Sequence, residues 1–146
     1  MTELPAKLKV DAIMESVLEV RFVTDAAAVP EILFGRFADL PEWKGFRIAR
    51  LPLADMPEPV RRLDPGLRFL PTFELTSPDG TVAARVGPQV IIYARRLRYP
   101  GWTVFGAELR MVVDRLFGFA SQLTIRRLGL RYINAMRSDA HGIEGI

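Results

Sequence analysis
The chain has 146 residues, 49% hydrophobic and 10% aromatic, enough apolar material for one core and too much for a disordered chain. Cysteine is absent, which excludes a disulfide framework, a thiol nucleophile and a cysteine-based zinc site. The net charge is only +3, yet the pI is 9.7, because Lys7, Lys9 and Lys44 are the only lysines among 20 basic residues. Arginine bias reflects either genome composition or a need for planar forks that bind phosphate and carboxylate. The 17 acidic residues interspersed along the chain favour the first reading.

At the N-terminus, Met1 to Leu8 lacks the apolar region of a signal peptide, and no apolar run reaches the roughly 20 residues of a membrane span. The expected location is the cytoplasm, with no membrane partner. Met14, Ser16, Leu18, Val20 and Phe22 then alternate with Glu15, Val17, Glu19, Arg21 and Val23, the period of a half-buried strand. Thr24 and Asp25 offer N-caps and Pro30 suits a first helical turn. Val29, Leu33, Phe37 and Leu40 recur at helical spacing. Pro41 and Gly45 end this helix, and Phe46 to Leu53 alternates as a second strand. From Ala54 to Gly66, Pro57, Pro59 and Pro65 remove backbone donors, so a surface loop is expected.

Phe69, Pro71, Phe73 and Leu75 are expected to line one face of a third strand, and Ser77 to Gly80 makes a tight turn into Thr81 to Val86. Gly87 and Pro88 interrupt the ladder before Gln89 to Arg96, whose Val90 to Tyr93 run reads as a strand near the middle of the sheet. After the Tyr99 to Trp102 turn, with Thr103 as a cap, Phe105, Leu109, Val112, Val113, Leu116, Phe117 and Ala120 mark one side of a long helix. A last strand runs from Leu123 to about Met136, with Leu128, Leu130, Tyr132 and Asn134 alternating against Arg127, Gly129, Arg131 and Ile133.

The order β-α-β-β-β-β-α-β predicts an α+β fold of two layers, a mostly antiparallel sheet of about six strands with two helices on one face. Residues 1–137 are expected to form the single domain and 138–146 a frayed polar tail.

If the helices cover one face, the other displays Glu15, Glu19, Arg21, Arg127 and Arg131, with Arg85 and either Tyr93 or Arg95 beside them. Such a face can hold a partner through arginine forks, or be a solvated face of cross-strand ion pairs. Glu15 and Glu19 lie roughly 13 Å apart along one strand, beyond the reach of a glycosidase pair. Glu74 or Asp55 would have to approach them in space for a carboxylate dyad to form. His141 is the sole histidine, which excludes a histidine-centred triad or two-histidine metal site within one chain. The glycines lack the spacing of a nucleotide-binding loop, so no cofactor or metal is implied. Arg95, Arg96, Arg98, Tyr99 and Trp102 mix charge with aromatic rings as single-stranded nucleic-acid sites do, although the same residues suit a strand end and a helix start.

Ile13 to Phe22, I-M-E-S-V-L-E-V-R-F, resembles the opening signature, close to I-V-E-A-I-F-E-I-R-F, of a sporadically distributed family of uncharacterised prokaryotic proteins. Arg126 to Asn134, R-R-L-G-L-R-Y-I-N, resembles that family's second signature, and Val86 to Pro88 and Tyr99 to Trp102 match its V-G-P and Y-P-G-W stretches. The resemblance implies a prokaryotic cytoplasmic protein but supplies no activity, cofactor or catalytic residue. It also implies longer chains that continue past the Y-I-N strand, so that a face or edge left uncovered here would favour dimerisation.

The leading expectation is a non-enzymatic binding or assembly module, with a protein partner or a second copy on the charged face. A nucleic-acid-binding protein using Arg95 to Trp102 is the alternative. An enzyme or small-ligand protein, with a Glu/Arg pocket between sheet and proline-rich loop, is the third.

Overall fold
The computed structural model describes residues 10–24, 30–119 and 123–141. Its strands are β1 (Ile13–Thr24), β2 (Arg47–Arg50), β3 (Phe73–Thr76), β4 (Val82–Gly87), β5 (Val90–Arg96) and β6 (Leu123–Asn134). Its α-helices are α1 (Pro30–Ala38), α2 (Glu58–Leu63), α3 (Trp102–Phe117) and α4 (Ser138–His141). The strands form one six-stranded sheet in the order β2-β3-β4-β5-β1-β6, antiparallel at every pairing. The α+β class, the antiparallel sheet and the β-α-β-β-β-β-α-β order of the main elements are as the sequence predicts.

The period-two alternation of β1 explains the layering. Ser16, Leu18, Val20 and Phe22 are buried and all but the serine join a core with Leu33 and Phe37 of α1 and Phe105, Val112 and Leu116 of α3. Phe105, Val112 and Leu116 are wholly buried at helical spacing, and each contributes roughly 1.5–3 kcal/mol by leaving water. Aromatic rings fill the space between the layers: Trp43 lies against Phe37, Phe46 and Tyr93, and Phe105 against Tyr93, Tyr99 and Tyr132.

Several local expectations are corrected. The proline-rich stretch is not a plain loop, because prolines also suit helix starts: Pro52 opens a 3-10 turn (Pro52–Asp55) and Pro59 lies in the first turn of α2. The third strand begins only at Phe73. Phe69 instead ends a 3-10 turn (Leu67–Phe69), and its ring lies 4.7 Å from the Arg21 guanidinium. Thr103 is not a cap. Gly101 is the N-cap, at φ +88, which side chains with a Cβ avoid, and Thr103 lies inside α3. Trp102, at the start of α3, is 60% exposed with its ring edge-on to Phe105. Within the tail, Ser138–His141 is helical and Arg137 pairs with Asp139 at 2.6 Å. Asp25, Val29, Ala120 and residues 142–146 lie outside the described residues.

Candidate functional site: the charged outer face and the β6 edge
Register fixes which charges meet. With Leu18, Val20 and Phe22 facing the helices, Glu15, Val17, Glu19 and Arg21 project from the outer face. Their partners across the β1–β6 ladder are Ile133, Arg131, Gly129 and Arg127, so the five residues Glu15, Glu19, Arg21, Arg127 and Arg131 share one face, as alternation predicts. On the other flank, Glu15 lies opposite Arg96. Arg85 and Glu74 lie opposite each other on β4 and β3 and complete the row. Tyr93 and Arg95, weighed as companions of Arg85, belong instead to the helix side, because Tyr93 joins the core and Arg95 reaches Glu108 of α3.

The charges on β1, β3, β4 and β5 are mutually satisfied. Glu74 accepts from Arg85 at 2.6 Å and from Arg96 at 2.9 Å, Arg96 approaches Glu15 at 3.7 Å, and Arg21 pairs with Glu19 at 2.7 Å. Burial pushes the Glu74 carboxyl up, but the hydrogen bonds from Arg85 and Arg96 outweigh it and hold the group below its ordinary 4.5. Beneath these long side chains lie Ala83 and Ala94, paired across β4 and β5 and almost fully buried, because arginine and glutamate stems roof small residues. Glu74 is thus the carboxylate that enters the network; Asp55 pairs with Arg50 at 2.8 Å elsewhere. Glu74, held by two guanidinium groups in this way, is kept ionised.

Strand β6 differs. Arg127 and Arg131 are exposed and have no ion pair or hydrogen bond among the described residues, and Arg127 lies directly opposite Arg21, a like-charge pairing that leaves surplus positive potential. On the reverse face, Leu128 and Leu130 sit opposite Val20 and Leu18, yet they are 56% and 48% exposed, because the helical layer ends before reaching them. Among the described residues the strand is also the last in the sheet, and its outward N–H and C=O groups have no ladder partner there.

The Arg95 to Trp102 stretch does not form a single surface. Arg95 turns to Glu108 on the helix side and Arg96 to Glu74 and Glu15 on the outer face, as neighbours in a strand must. Leu97 then takes φ +71 to turn the chain, Arg98 is exposed, and Tyr99 packs edge-on against Phe105 and Tyr132. Only Arg98 and Trp102 of the five remain open to a ligand. Among the described residues no helix is long and apolar enough to cross a membrane. No family model, curated protein or solved structure matches this chain, so the role of the face is read from its own chemistry.

Proposed function
We propose that this protein is a non-enzymatic binding or assembly module that takes up an extended partner strand along β6. The observation that supports this reading is the contrast on the outer face: charges on β1, β3, β4 and β5 are paired, while Arg127 and Arg131 of the edge strand are exposed without partners among the described residues. A strand added to β6 gains main-chain hydrogen bonds, each worth about 0.5–1.5 kcal/mol, and its side chains alternate between the two faces. One face offers Arg127 and Arg131; the other offers Leu128 and Leu130. The complementary partner is therefore a segment in which acidic and apolar residues alternate, supplied by another protein.

The test is binding of a synthetic peptide of about ten residues alternating Glu and Val, a length that spans most of a strand, beside a Lys/Val counterpart. The wild-type chain is expected to bind the acidic peptide and reject the basic one. The double reversal R127E/R131E is expected to invert that preference without lowering thermal stability, because both side chains are exposed with no partner among the described residues and the reversal at Arg127 sets opposite charges across from Arg21. Equal binding of the two peptides, or a preference indifferent to the reversal, would sink the reading. A dimer abolished by the same reversal would assign the partner to a second copy, and retention of an oligonucleotide in its place would move the chain to the nucleic-acid class.

A further inference from the structure
A second binding feature lies away from β6, where the proline-rich segment meets the end of the β3–β4 hairpin. A cavity of about 150 Å³ opens there, lined by Phe34 of α1, Arg50 of β2, Arg61 of α2 and Thr72, Phe73 and Gly87 among others. Its apolar wall is a parallel ring stack, Phe34 on Phe73, with centroids 4.1 Å apart and planes within 12°. Its backbone wall is fixed: the Thr72 N–H donates to Val86 O at 2.8 Å and its hydroxyl to the same oxygen at 3.2 Å. At Gly87 an added Cβ would strike the Leu70 carbonyl and come within 3.0 Å of Pro71 Cα, so the chain passes too closely for any side chain.

The two arginines of this cavity are in different states. Arg50 is already engaged, donating to Asp55 at 2.8 Å and to the Ala54 carbonyl at 3.3 Å, with its guanidinium 5.7 Å from the Phe73 ring centroid. Arg61 is half-buried, and its Nε–H is out of contact with water and has no hydrogen-bond partner among the described residues. Arg61 lines the cavity, and an anion beside its guanidinium balances a positive charge that no carboxylate among the described residues pairs with. Charge neutralised at Arg50 and open at Arg61 calls for one negative charge. A cavity of this size accommodates a benzene-sized body, since apolar cavities of about 150 Å³ bind benzene.

We propose that this cavity is a site for a compact aromatic carboxylate, its ring laid against the Phe34–Phe73 stack and its carboxylate accepting hydrogen bonds from the Arg61 guanidinium. The site is independent of the β6 edge and of the partner strand proposed for it. It also relocates the polar pocket expected between sheet and proline-rich loop: the basic groups are Arg50 and Arg61, not the arginines of the outer face.

The experiment is titration of the full chain with benzoate, read by amide chemical-shift changes, with inorganic phosphate as the comparison anion. For nine non-hydrogen atoms at ordinary ligand efficiency, a Kd of about 1 mM is expected. Saturable shifts should centre on Arg61, Thr72 and Phe73, and phosphate should bind at least about tenfold more weakly for want of ring contacts. R61M keeps the aliphatic stem and removes the fork, and a loss of about tenfold is expected, with R61Q as a second variant should the first misfold. Benzoate shifts that fail to saturate by about 10 mM, that map elsewhere, or that survive unchanged in the folded Arg61 variant overturn the assignment. So does phosphate binding as tightly as benzoate.

Discussion

Strands β1 and β6 are twelve residues each, run antiparallel along nearly their whole length, and carry the same alternation, yet their burial is opposite. Leu18 and Leu130 face each other across the ladder; Leu18 is 6% exposed and Leu130 48%. The difference lies in what stands on top: α3 sends Phe105, Val112 and Leu116 into the core over the central strands, while on β6 it meets Tyr132 and leaves Leu128 and Leu130 exposed. Alternation therefore dictates which residues share a face, and the second layer alone decides whether that face is dry. The most severe challenge to this comparison is a pair of truncations. Leu18→Ala should cost about 2–5 kcal/mol in chemical denaturation, because it opens a cavity under the helices. Leu130→Ala should cost less than about 1 kcal/mol, since little of its side chain leaves water on folding. Equal losses would mean that β6 is covered in the free protein.

The two strand glycines sharpen the contrast at smaller amplitude. Gly87, on the covered side of the sheet, has the Leu70 carbonyl and Pro71 where a Cβ would go, and both belong to backbone that cannot step aside cheaply. Gly87→Ala is expected to lower stability by about 1–3 kcal/mol. Gly129 on β6 meets nothing closer than the Glu19 Cβ at 3.9 Å, an ordinary contact. Gly129→Ala should raise stability by about 0.5 kcal/mol through the lost backbone freedom of the unfolded chain. Thermal midpoints moving in opposite directions are the expected reading, and a midpoint lowered by both would show that the β6 ladder is as confined as β4.

Much of this was legible in the residues, for a definable reason. Period two is strict, so Glu15, Glu19, Arg21, Arg127 and Arg131 could be assigned to one face with no knowledge of the fold. What alternation cannot supply is the identity of neighbours from distant strands. The Arg85–Glu74–Arg96 cluster joins residues of three strands, and only the register of β3, β4 and β5 brings them together. Arg96 adjoins the aromatic stretch in sequence, and that proximity hides that it and Arg95 point to opposite faces. The cavity residues were harder still: Arg61 sits in a helix that prolines disguised as a loop, and just before Thr72 and Phe73 the backbone abandons the strand pattern for a 3-10 turn (Leu67–Phe69). Arg61 carried one available signal, its place in an Arg-Arg pair within a segment whose prolines also fit helix starts.

Acid provides the finest division between the paired and unpaired parts of the outer face. Glu74 is held below 4.5 in the folded protein because hydrogen bonds from Arg85 and Arg96 overcome the opposing effect of burial, and unfolding releases it to the ordinary value. A carboxyl depressed by folding contributes stability that is fully present above about pH 4.5 and is lost as the pH falls through the lower, folded value. Since the cluster is only partly shielded from solvent, the contribution is about 1 kcal/mol. Denaturation midpoints of the wild-type chain should therefore fall more steeply on acidification below pH 4.5 than those of Glu74→Gln, which has no proton to gain at that position. Arg127→Gln should leave the acid slope as it is, because Arg127 holds no carboxylate among the described residues. If Arg127→Gln flattened the slope as much as Glu74→Gln, the edge arginines would be engaged with acidic groups of the chain itself, and β6 would no longer be available to an acidic partner strand.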